Sequence, residues 1–115
     1  KIYYLSSCST CARIINELDL KKKGFQFQDI KTEQITAEQL EDMKKKAGSY
    51  EALFSRVALK YRALGLDKKE LTEPEYKKYI LEEYTFLKRP VILIGNKITV
   101  GNSKKTIAEA KELIG

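Results

Sequence analysis

The spacing of apolar positions changes several times along the chain, and each change marks an element. Residues 1–5 carry the run Ile2-Tyr3-Tyr4-Leu5, which is too short for a helix and predicts a buried strand. Ser6, Ser7, Ser9 and Thr10 make the next stretch polar, a turn. From residue 11 to residue 23 apolar residues include Cys11, Ile14, Ile15 and Leu18. That three-and-four spacing lines one helical face, and Gly24 is the expected stop. Phe25, Phe27 and Asp29-Ile30 then predict a second strand.

The middle of the chain reads as helical. Thr36-Ala37-Glu38-Gln39 is a capping box opening a helix that runs through Leu40 and Met43 to about Ala47, with Gly48 beyond it. Residues 49–66 predict one or two short helices with Leu53, Phe54, Val57, Tyr61 and Leu64 turned inward, broken at Gly65. Thr72-Glu73-Pro74-Glu75 is a second capping box, with Pro74 tolerated in the first turn. It opens a helix through Tyr76, Tyr79, Ile80 and Glu83.

Strand signals return at Pro90-Val91-Ile92-Leu93-Ile94. Gly95-Asn96 makes a hairpin turn, and residues 97–100 come back as its second strand. Gly101 with Asn102 or Ser103 starts a last helix over residues 104–114. The order is βαβ, a helical block, then ββα. It predicts an α/β protein, residues 1–115 forming a single domain with residues 36–86 inserted between the second and third strands. No repeat, linker or low-complexity segment interrupts it.

Composition narrows the function classes. A chain of 115 residues, 43% hydrophobic and 33% charged, can close one core and has no disordered signature. No apolar run nears the roughly 20 residues a membrane span requires, and the start shows no signal-peptide pattern. A cytoplasmic protein without a membrane partner is expected. The net charge of +6 favours anions. The runs Lys21-Lys22-Lys23 and Lys44-Lys45-Lys46 fall near expected helix ends, where cations suit the helix dipole. Without an RNA- or DNA-binding motif around them they do not predict direct nucleic-acid binding. There is no histidine, which removes Ser-His-Asp and Cys-His catalysis and nearly every common zinc site.

The candidate chemistry is in "SSCSTCARI", residues 6–14, which holds both cysteines. Cys8 follows the first strand and precedes the first helix. Helix N-termini present unpaired N–H groups and partial positive charge, so the pKa of Cys8 should fall below the free value of about 8.5. Cys11, three residues on, is close enough to pair with it. A four-ligand zinc site needs two more ligands than the chain has, and two inert core cysteines are the plain structural reading. The strand–turn–helix setting favours a redox C-x-x-C instead. The hydroxyls of Ser6, Ser7, Ser9 and Thr10 are candidates to bond a thiolate or an oxyanion, and Arg13 adds a cation. Pro90, after Lys88-Arg89, starts a buried strand where a missing N–H costs little. A cis bond there would hold the preceding backbone ready to pair with an extended substrate.

With these pieces in place, the chain resembles the glutaredoxin-linked arsenate reductase and Spx-like family, a branch of the thioredoxin fold. "YYLSSCSTCARI", "ALFSRVALKYRALGL" and "KRPVILIGNKITVG" carry the resemblance, which covers nearly the whole chain. It implies a thioredoxin-like fold with a mixed four-stranded sheet. It implies Cys8 as nucleophile, Cys11 as resolving thiol, Pro90 as the cis-proline, and Arg89 and Arg56 as substrate-facing arginines. The substrate expected is a small anion or a disulfide. No bound cofactor is expected, and glutathione with glutaredoxin, or thioredoxin, would serve as reductant. Two features depart from the arsenate enzymes of that family. Cys11 supplies an internal resolving thiol, as in Spx-like members, and Asn102 with Lys104-Lys105 stands where a third arginine is expected. A redox-sensing regulator bound to the RNA polymerase alpha subunit is the alternative that the resemblance raises.

Overall fold

A computed structural model describes residues 1–115. The elements follow in the order β1 (Ile2–Tyr4), α1 (Ser9–Glu17), β2 (Phe27–Asp29), α2 (Ala37–Ala47), α3 (Leu59–Ala63), α4 (Glu73–Glu82), β3 (Val91–Ile94), β4 (Lys97–Val100) and α5 (Lys104–Ile114), with three short 3-10 turns. They form two compact units, residues 1–34 with 89–115, and residues 35–88.

The first unit holds one four-stranded sheet in the order β2-β1-β3-β4. β1 and β2 are parallel, and the other two pairings are antiparallel. This is the α/β order that the strand and helix signals predict, in the thioredoxin-like arrangement that the resemblance implies. Parallel pairing aligns Ile2 with Phe27 and Tyr4 with Asp29, so the C-terminal ends of β1 and β2 lie side by side. The core beneath the sheet joins Ile2, Ile14, Ile15, Leu18, Leu20, Ile92 and Ala110.

α1 stops earlier than its apolar spacing predicts. Leu18 and Leu20 are both buried, and two positions two apart cannot share one helical face. The chain resolves this with a left-handed residue, Asp19, at φ +56°. The Leu20 N–H bonds the Ile15 carbonyl and the Asp19 N–H bonds the Asn16 carbonyl, both at 3.1 Å. That pair of bonds is the Schellman ending of a helix. Lys21, Lys22 and Lys23 therefore lie beyond the helix in an exposed turn.

In the second unit both capping boxes form. The Gln39 N–H bonds Thr36 Oγ1 at 3.0 Å, and Gln39 Oε1 accepts from the Thr36 N–H at 3.1 Å. Glu75 accepts from the backbone N–H and the hydroxyl of Thr72. Phe54, fully buried, stacks on Phe86 with centroids 5.0 Å apart and also meets the rings of Tyr61 and Tyr76. The Ser55 N–H bonds the Phe86 carbonyl and the Lys88 N–H bonds the Leu53 carbonyl, which ties this cluster to the end of the unit.

One expectation for this stretch fails. Leu53 and Phe54 are buried, but Val57 and Leu64 are 91% and 52% exposed. Phe54 is in extended backbone, and the five-residue α3 that follows buries none of its residues. The segment turns too often for one inward face to persist from residue 53 to residue 64. No helix of the protein is long and apolar enough to cross a membrane.

Candidate active site

Cys8 is the N-cap residue of α1, with extended backbone angles. The turn before it is closed by its own N–H on the Leu5 carbonyl at 3.0 Å. Cys11 lies in the first turn of the helix. The cysteines are 3.5 Å apart, and both are free thiols. Cys8 is half-buried and Cys11 fully buried.

The same sequence spacing gives the two thiols opposite acidities. Burial opposes ionisation of Cys8, but the Cys11 N–H, the Cys11 thiol, the Thr10 N–H and the Arg89 charge together outweigh it and lower its pKa. Cys8 makes no conventional side-chain capping bond; the amides act on its sulfur as the positive end of the helix. Burial is the main reason the Cys11 thiol is pushed up to about 11. The backbone of Leu5 and the Arg89 charge resist that rise, whereas its hydrogen bond to Cys8 and the Cys8 charge add to it.

Arg89 acts on both sulfurs through its charge. It precedes Pro90 across a cis peptide bond, and the Pro90 carbonyl accepts from the Gly101 N–H at 3.0 Å. The structure thus brings together Cys8, Cys11, the backbone of Thr10, and Arg89 with Pro90. Ser7 is exposed in the turn. Arg13 is exposed on α1 and faces Glu17 at 3.6 Å. Arg56 belongs to the second unit, where its guanidinium bonds Glu51 at 2.7 Å and the Tyr76 hydroxyl at 2.9 Å. No group of three or more His, Cys, Asp or Glu is arranged to hold a metal ion.

The sequence reading missed Asp29. Its carboxylate accepts from the Ser6 N–H at 3.4 Å and the Lys31 N–H at 3.2 Å. The Ser6 hydroxyl is the chief cause of its lowered pKa. The available signal was the βαβ order itself: parallel strands place the end of the second beside the loop that leaves the first.

The family model described as the ArsC family matches residues 3–110. No curated protein is significantly similar in sequence. Among solved structures, the YFFB protein superposes with a TM-score of 0.79 at 26% identity, covering 95% of this chain and 96% of that one. An arsenate reductase from Vibrio cholerae gives 0.78 at 17% identity, covering 94% and 93%. An arsenate reductase related protein from Brucella melitensis gives 0.72 at 26% identity, covering 95% and 90%.

Proposed function

The chain belongs to the ArsC family, and from that premise we propose that it is a thiol-dependent oxidoreductase with Cys8 as nucleophile and Cys11 as resolving thiol. The observation that carries this reading is the asymmetry of two thiols 3.5 Å apart, one with its pKa lowered and the other pushed up to about 11.

The Cys8 thiolate attacks one sulfur of a disulfide substrate. The substrate S–S bond breaks, a mixed disulfide forms on Cys8, and the departing thiolate takes a proton from solvent. Formation of the mixed disulfide removes the Cys8 charge that helps to keep Cys11 protonated. Cys11 then loses its proton and attacks the Cys8 sulfur. The second half of the substrate leaves as a thiol and an internal disulfide closes. Two electrons have moved from the cysteines to the substrate. A dithiol protein or glutathione restores them.

A small disulfide, such as a glutathionylated peptide, suits this site better than arsenate. An oxyanion is held best by forked guanidinium groups. Arg89 acts on the thiols, but Arg13 faces Glu17 and Arg56 bonds Glu51 and Tyr76. Asn102, Lys104 and Lys105, exposed after the hairpin, offer no fork. Loss of one charge-assisted bond to a bound anion costs on the order of 1.5–3 kcal/mol.

The test has two arms. Treated with oxidised glutathione, Cys11→Ser should accumulate a glutathione adduct on Cys8, read by mass spectrometry, whereas Cys8→Ser should trap little on Cys11. Equal trapping would remove the division of labour. In a coupled assay, a glutathionylated peptide should be turned over and arsenate with glutathione and glutaredoxin only weakly. Efficient arsenate turnover would reverse the substrate ranking.

A further inference from the structure

The fold leaves a groove of about 590 Å³ along the outer edge of the sheet, between α1 and β2. We propose that it binds an apolar organic anion, an aromatic or branched carboxylate, with Lys21 holding the charged end. Three observations place that chemistry there. The walls are apolar and aromatic: Tyr4, Ile15, Phe25 and Phe27 line the groove, and the rings of Tyr4 and Phe27 meet edge to face at 5.8 Å. β2 is an edge strand, and Tyr4, Phe25 and Phe27 remain half-exposed.

The cation is the third observation. Because the Schellman turn at Asp19 ends α1 early, Lys21 lines the groove instead of continuing the helix. Lys22 and Lys23 follow it, all three are exposed, and none forms an ion pair. Glu17, the last acid of α1, faces Arg13. The volume suits a ring-bearing small molecule, since ligand pockets run from roughly 300 to 1,000 Å³. Ser6, at one end of the groove, belongs to the turn that carries Cys8, yet binding itself uses neither thiol.

The experiment is an amide-resolved NMR titration of the reduced chain with 4-phenylbutyrate, beside its uncharged counterpart 4-phenylbutan-1-ol. Saturable shifts at Tyr4, Asn16, Phe25 and Phe27 are expected. The alcohol should bind about 1.5-fold to fivefold more weakly, as the loss of one exposed charge pair requires. Lys21→Glu should weaken the carboxylate by at least as much and leave the alcohol unchanged. Ala12→Trp, a substitution at an exposed position of α1 in the groove wall, should abolish binding of both. Absence of saturable binding at millimolar carboxylate, shifts centred elsewhere, or equal affinity for acid and alcohol would overturn the proposal. Because no thiol chemistry is read, failure of this site and failure of the redox reading are separate results.

Discussion

Asp29, the last residue of β2, accepts a hydrogen bond from the Ser6 N–H at 3.4 Å. Ser6 and Ser7 lie between Leu5 and Cys8, whose carbonyl and N–H close the turn at 3.0 Å. A carboxylate on the neighbouring strand therefore fixes the turn that delivers Cys8 to the start of α1. The parallel register makes this automatic, because Tyr4 is opposite Asp29 and the next polar residue of the first strand's exit is Ser6.

Replacing Asp29 with Ala should loosen this turn and raise the Cys8 pKa toward the free-thiol value of about 8.5. Asp29→Asn keeps an acceptor oxygen and should restore most of the effect. Ultraviolet thiolate absorbance against pH reads both variants; identical Cys8 titrations in wild type and Asp29→Ala would refute the tie. The sign for stability follows from the lowered Asp29 pKa. The contribution is full above the unfolded carboxyl value of about 3.9 and is lost as pH falls through the lower folded value.

Cys11 should also pull stability in a known direction at high pH. Cys11 holds its proton up to about 11 in the folded chain but to only about 8.5 when unfolded. Between those values the folded state binds more protons, so stability falls as pH rises. Cys11→Ala should flatten the decline, measured by urea unfolding across that range. A slope unchanged by the substitution would count against a buried, protonated Cys11.

Charge on Cys8 is one of the causes that raise Cys11. Cys8→Ala should therefore bring the Cys11 pKa below about 11, seen as alkylation of Cys11 at a lower pH than in wild type. A Cys11 profile that stays fixed would mean that the Cys8 charge does not raise it, and the proposed release of Cys11 on mixed-disulfide formation would lose its cause.

Phe54→Ala removes a fully buried ring that touches three others. A loss of about 3–5 kcal/mol is expected, by chemical denaturation. A loss under about 1 kcal/mol would show that the aromatic cluster of residues 35–88 collapses around the gap.

Asp19→Gly should stabilise the chain by about 0.5–1 kcal/mol. A side chain in the left-handed region costs about 1–2 kcal/mol, and glycine avoids that cost while losing some backbone entropy on folding. The midpoint of urea unfolding measures it, and a destabilised variant would mean that the Asp19 side chain contributes more than its backbone strain removes.

The elements with a local cause were the ones legible in the sequence. Both threonine capping boxes, the Gly95-Asn96 turn and the start of α5, where Ser103 rather than Asn102 is the cap, depend on neighbours within four positions. The end of α1 was misread because Gly24 is the residue that usually accepts a positive φ, whereas Asp19 takes that conformation first so that Leu18 and Leu20 can both enter the core. Val57 and Leu64 were misread because a helical face was extended across a segment in which α3 lasts only five residues. Cys8 and Cys11 were visible from spacing and context. Asp29 was not, because its role exists only once β1 and β2 are paired.

The inner strand β1 also sets a constraint in time. Lys1 donates to the carbonyl of Leu93, 92 positions away, so one side of β1 stays unsatisfied until β3 arrives. β1 and β2 can pair early, but the remaining edge, with Ile2 and Tyr3, is open to the wrong strand until the chain has closed a very long loop. Loop closure of that length slows folding and exposes apolar edges meanwhile. Residues 35–88 lie wholly within that loop and form their own compact unit, so their collapse before β3 docks would shorten it. Weakening that unit at Phe54 would then leave a longer, looser tether, and slow the arrival of the strand that completes the sheet.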